Sequence, residues 1–79
     1  MRVELALFGQ YSRLLPPESK NGRAALEVDQ AATVGDVLDR LQVPPEGRTY
    51  VTVNGKYAGQ EAVLSEGDEI RVIVPLGGG

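Results

Sequence analysis

Val3, Leu5 and Leu7 alternate with Arg2, Glu4 and Ala6 at the start of the chain. That period of two predicts a strand with one buried face. Phe8 follows and is assigned to the core. From Gly9 to Gly22 the pattern weakens. Tyr11, Leu14 and Leu15 suit a short helical turn that Pro16 and Pro17 end, and Glu18 to Gly22 reads as a turn. Ala24, Leu26 and Val28 then alternate as a second strand, suited to antiparallel pairing with the first. Thr33 opens a helix: its hydroxyl caps free N–H groups, and Asp36 stands three residues on, where a capping box and the positive helix end both favour it. Val34, Val37, Leu38 and Leu41 follow the helical spacing of one buried face, with Asp36, Asp39 and Arg40 on the wet side. Pro44-Pro45 is expected to stop the helix.

The second half is again written in strands. Tyr50 to Val53 forms one, and Asn54-Gly55 marks a tight hairpin, because both central residues of that turn need positive φ. Lys56 to Ala58 returns. Ala62-Val63-Leu64 leads to a turn over Ser65 to Asp68, and Ile70, Val72 and Val74 alternate in the last strand. Its opposite face carries Ile73, so this strand is expected to be central and covered on both sides. One helix and five short strands in the order β-β-α-β-β-β pack most economically as a mixed sheet wrapped over the helix. Pairing the two most apolar strands, first and last, in parallel gives an α+β, β-grasp arrangement over residues 1–75, with a flexible glycine tail at 76–79.

Composition narrows the function. Seventy-nine residues make one domain with a small core. The absence of cysteine and histidine removes disulfides and the commonest soft metal ligands, and no metal site is expected. A net charge of -3 with eight scattered cations argues against nucleic acid. No apolar run is long enough to span a membrane, and Met1 to Glu4 is no signal peptide, so a cytoplasmic location is expected. Several residues have plain structural readings. Gly35 permits close packing of the helix on the sheet, Asn54 and Gly55 serve the turn, and Glu66, Asp68 and Glu69 are solvated charge rather than a calcium site.

The chain ends on Gly77, Gly78 and Gly79. Glycine backbone enters slots too narrow for a side chain. From Pro75 to Gly79 the chain extends about 16 Å, at about 3.3 Å per residue. Pro75 and Leu76 would dock in a partner's groove, Gly77 would pass through its narrow part, and Gly78 and Gly79 would bring the terminal carboxylate to the chemistry. That carboxylate is ionised at neutral pH and must be activated before acyl transfer. The chain lacks any phosphate-cradling motif, so it binds no cofactor itself; ATP and Mg²⁺ would belong to the activating partner. The plainer reading is that such a glycine run is an inert tail or linker remnant.

Four segments resemble the MoaD/ThiS family of ubiquitin-like sulfur carriers: Val3 to Gly9, Ala32 to Leu38, Val51 to Tyr57, and Leu64 to Ile70 running on to Gly79. The resemblance implies a carrier rather than an enzyme. Its C-terminal glycine would be adenylated by an E1-like enzyme and converted to a thiocarboxylate, whose sulfur passes to a synthase subunit. The first two segments and the long Gln10–Gly22 connection resemble the molybdopterin branch more than the thiamine branch. Two features depart from the family pattern. Three glycines stand where two are usual, so either Gly79 is the working terminus or it is trimmed to expose Gly78. Val74-Pro75-Leu76 stands where molybdopterin-branch members often carry Phe-Pro-Pro. A ubiquitin-like modifier that forms isopeptide bonds, and a plain β-grasp interaction module, are the alternatives.

Overall fold

A computed structural model describes residues 1–17 and 19–73. The expected strand at Val74, the domain boundary at 75/76 and the glycine tail lie outside them.

Among the described residues, six elements of regular structure carry the fold: β1 (Arg2–Leu7), β2 (Arg23–Glu27), α1 (Val34–Arg40), β3 (Val51–Val53), β4 (Lys56–Tyr57) and β5 (Glu69–Val72). Short 3₁₀ turns at Gly9–Leu14 and Pro45–Arg48 complete it. The strands form one sheet in the order β2-β1-β5-β3-β4. β1 and β5 run parallel at its centre, with Leu5 opposite Ile70 and Leu7 opposite Val72. All other pairs are antiparallel. The chain therefore adopts a β-grasp fold, as its pattern of elements predicts.

The alternation sorts the sheet into two faces. Val3, Leu5, Leu7, Leu26, Val51, Ile70 and Val72 are buried in one cluster with Val34, Val37, Leu38 and Leu41 of the helix. Burying each such side chain contributes about 1.5–3 kcal/mol.

The helix starts where the sequence indicates. Asp36 N–H donates to Thr33 Oγ1 at 3.1 Å, and Thr33 N–H donates to Asp36 Oδ2 at 2.9 Å, a reciprocal capping box. Val34 and Gly35 N–H donate to the carbonyls of Ala62 and Gln60. This contact corrects the reading of Gly35: a Cβ there would lie 3.1 Å from the Gln60 carbonyl oxygen, so Gly35 serves the approach of the β4–β5 connection, not of the sheet. The helix also ends earlier than its prolines suggest. Gln42 adopts φ 61, and Val43 N–H reaches back to the Leu38 carbonyl. A left-handed residue closes the helix before Pro44 is reached.

Two core assignments are overturned. Phe8 is 41% exposed and Ile73 is 39% exposed. Each continues its strand by one residue beyond a buried position, so alternation turns its side chain onto the face away from the helix. β5 is central, but only one of its faces is covered by the helix.

Candidate functional site

The outer face of the sheet is laid down in three rows set by the strand register. The first runs Ala25, Glu4, Glu69 and Asn54, charged at its centre. The second runs Arg23, Ala6, Arg71, Thr52 and Tyr57. Ala6 is fully buried and lies between the two arginines in the register. The third lies one residue beyond the strand ends. Phe8 follows Leu7, Ile73 follows Val72, and Ile73 N–H donates to the Tyr50 carbonyl at 2.8 Å. Phe8, Ile73 and Tyr50 thus stand side by side across the three central strands. Tyr57, in the second row by register, brings its ring beside this row, its centroid 6.4 Å from that of Tyr50.

All four of these side chains are substantially exposed, Tyr57 by 75%. Single exposed apolar residues need no explanation, but four gathered at one end of one sheet face mark an interaction surface. Electrostatics borders it on one side. Glu69 Oε2 accepts from Arg23 Nη1 at 3.0 Å and its Oε1 from Arg71 Nε at 3.2 Å, which holds both guanidinium groups against the sheet. Ile73 is in the row, and residue 74 is the next step toward the glycines.

Pro75, Leu76, Gly77, Gly78 and Gly79, the site residues expected from sequence, lie outside the described residues. What the structure adds is the apolar platform that includes Ile73, the last described residue. Reading Phe8 and Ile73 as core from their hydrophobicity hides that platform. Strand alternation could have found it: Phe8 is out of phase with Val3, Leu5 and Leu7, and Ile73 with Ile70 and Val72.

Elsewhere several charged groups have structural partners. A concavity of about 380 Å³ between β2 and α1 is lined by Glu27, Asp29, Asp36 and Arg40 among others. Asp36 is committed to the capping box there, and Arg40 Nη1 donates to the Glu27 carbonyl. The acidic turn is also more than solvated charge. Glu66 accepts from Arg2 N–H, Asp68 from Ser65 N–H and the Asn54 side chain, and Glu69 from the two arginines. Among the described residues no helix is long and apolar enough to cross a membrane.

A mixed sheet on one helix, with an apolar platform at the end of its central strand, defines a small ubiquitin-like protein. The ThiS family model matches residues 5–79, and the chain belongs to that family of ubiquitin-like sulfur carriers or modifiers. The crystal structure of SAMP1 from Haloferax volcanii is similar, at 25% identity and TM-score 0.73 over 100% of both chains. A second structure, H. volcanii small archaeal modifier protein 1, shares 27% identity at TM-score 0.72 over 95% of this chain and 98% of that one. A Pyrococcus furiosus structure described as molybdopterin converting factor, subunit 1, has the same fold at 21% identity and TM-score 0.71, over 95% of this chain and 98% of that one. No curated protein sequence matches the chain at a significant level.

Proposed function

We propose that this chain is a sulfur carrier whose C-terminal glycine is the working group. An E1-like partner that binds ATP and Mg²⁺ adenylates the Gly79 carboxylate. The carboxylate oxygen attacks the α-phosphorus, and pyrophosphate leaves. A sulfur donor at the sulfide level then displaces AMP and leaves a thiocarboxylate. Gly77 and Gly78 give the end of the chain access to a narrow cleft, and Pro75 and Leu76 dock beside it. The single observation that carries this reading is the family match, which runs through the glycines to residue 79. The apolar row of Phe8, Ile73 and Tyr50 supports it, because a partner that takes the tail must cover the surface from which the tail departs.

The length of the Gln10–Gly22 connection and the first two family segments favour delivery of that sulfur to a synthase subunit of the molybdopterin branch. Mass spectrometry of the untagged chain from its native cells tests the reading. The expected species is the free chain with one terminal oxygen replaced by sulfur. Gly78→Ala, or any residue added after Gly79, should abolish adenylation while the fold persists. Normal activation of either variant would overturn the proposal.

A second reading has its own support in the SAMP1 structures, whose descriptions name a modifier. An acyl-adenylate also acylates lysine. A branched conjugate in place of the thiocarboxylate would make the chain a protein modifier.

A further inference from the structure

We infer that Asn54-Gly55 is a site of spontaneous chemical conversion held in check by Asp68, and that conversion uncouples the β3–β4 hairpin from β5. The turn is built from two residues of positive φ, 55 at Asn54 and 88 at Gly55. Both are exposed, and a methyl group placed on Gly55 would meet nothing within 4 Å. An asparagine side chain can be attacked by the backbone nitrogen that follows it, and glycine obstructs that approach least because it has no Cβ.

The step balances with water alone. The Gly55 nitrogen gives its proton to hydroxide and bonds to Asn54 Cγ. The Cγ–Nδ2 bond breaks, and ammonia leaves with a proton taken from water. A second water opens the resulting cyclic imide at either carbonyl, giving aspartate or isoaspartate. Nothing is oxidised or reduced.

The folded chain opposes this at both ends of the carboxamide. Asn54 Nδ2 donates to Asp68 Oδ1 at 2.9 Å, and Asn54 Oδ1 accepts from Glu69 N–H at 2.9 Å. The other oxygen of Asp68 is itself fixed by Ser65 N–H at 2.8 Å. To close the ring, the carboxamide must leave both partners and swing onto its own backbone. Once converted, the site cannot be restored. The Nδ2 donor is gone and a carboxylate faces the Asp68 carboxylate, which destabilises the contact. Isoaspartate also adds a backbone carbon to a turn that closes on two residues. The loss falls where β5 begins, next to the Asn54 N–H to Glu69 carbonyl bond that sets the β3–β5 register.

Peptide mapping of the full chain, aged in mildly alkaline buffer, tests the inference. Asp68→Ala should convert about tenfold faster than the unaltered chain, the factor carried by one hydrogen bond to a charged acceptor. Asp68→Asn keeps an acceptor oxygen and should stay closer to the unaltered rate. Arg48→Ala, which disturbs the fold far from this turn, separates local release from general loosening. The inference is overturned if Asp68→Ala is no faster than Arg48→Ala. It is also overturned if the intact chain converts as fast as an unstructured peptide of residues 50–60. The purified converted chain should unfold at lower denaturant concentration; an unchanged midpoint would refute the uncoupling.

Discussion

The two faces of the sheet are made by alternate residues of the same strands, yet they answer to different demands. On the inner face Leu5, Leu7, Ile70 and Val72 meet the helix and are fully or almost fully buried. On the outer face the same strands carry Glu4, Glu69 and Arg71, and are followed by Phe8 and Ile73, which are left exposed. An apolar residue on the inner face is explained by folding alone, because burial accounts for it. An exposed apolar residue on the outer face, such as Phe8 or Ile73, has no such account, so it carries information about partners. The contrast teaches that hydrophobicity in this chain becomes a functional signal only once the face is known.

The sharpest test of the inner face is Leu38→Ala. Leu38 is fully buried at the contact of α1 with the sheet. Truncation removes transfer free energy and leaves a cavity, at an expected cost of about 2–5 kcal/mol. That is a large share of the stability of a domain this small. Urea unfolding should show a clear fall in midpoint. A loss below about 1 kcal/mol would mean that the helix is not the lid of the core, since surface-like sites behave that way.

Most of the fold was legible because period and turn chemistry agree throughout. Val34, Val37, Leu38 and Leu41 could only be one helix face. Thr33 and Asp36 fixed its start, and Asn54-Gly55 fixed the hairpin. The parallel pairing of β1 with β5 followed from their being the most apolar strands. Legibility failed at strand ends. Phe8 and Ile73 are as hydrophobic as core residues, and composition cannot tell which way a side chain points one step past the last paired residue. It failed again at Gln42, where a non-glycine residue takes the left-handed conformation that ends the helix. The platform of Phe8, Ile73 and Tyr50 was hidden for the first of these reasons. The glycine tail was legible as a motif, and the family match covers it.

Substitutions on the outer row test the other side of the contrast. Phe8→Ala and Tyr50→Ala should leave the unfolding midpoint nearly unchanged, within about 1 kcal/mol, because both side chains are already about two-fifths exposed. Each should weaken binding to the proposed activating partner by about tenfold or more, as aromatic anchors at an interface do. Titration calorimetry separates the two effects. A variant that loses stability and keeps affinity would move Phe8 back into the core and dissolve the distinction between the faces.

The start of the helix gives a smaller, graded check on the inner side. Thr33→Ala removes the Oγ1 acceptor for Asp36 N–H, while the backbone N–H of residue 33 can still donate to the Asp36 carboxylate. The expected cost is about 1 kcal/mol. Thr33→Ser, which keeps the oxygen, should recover most of it. Partner affinity should not change, because Thr33 belongs to the helix side of the molecule. Thermal unfolding of the three chains, with one affinity measurement each, decides the point.

The smallest effect is expected where the outer face looks most ordered. Glu69 joins Arg23 and Arg71, and both pairs are partly open to water, with 31% of the Glu69 side chain and 43–50% of the two arginines exposed. Exposed pairs of this kind contribute about 0.2–1 kcal/mol. Glu69 also lies beside Glu4 in the parallel register, so neutralising it relieves a like-charge contact that offsets part of the loss. Glu69→Gln should therefore change stability by less than about 1 kcal/mol. The remainder should shrink further in about 1 M salt, where charges are screened beyond about 3 Å. Its effect on binding should be the larger one, because both guanidinium groups are freed at the border of the apolar row. If Glu69→Gln instead cost as much as Leu38→Ala, the charged rows would be holding the sheet together. The outer face could then no longer be treated as surface left free for a partner.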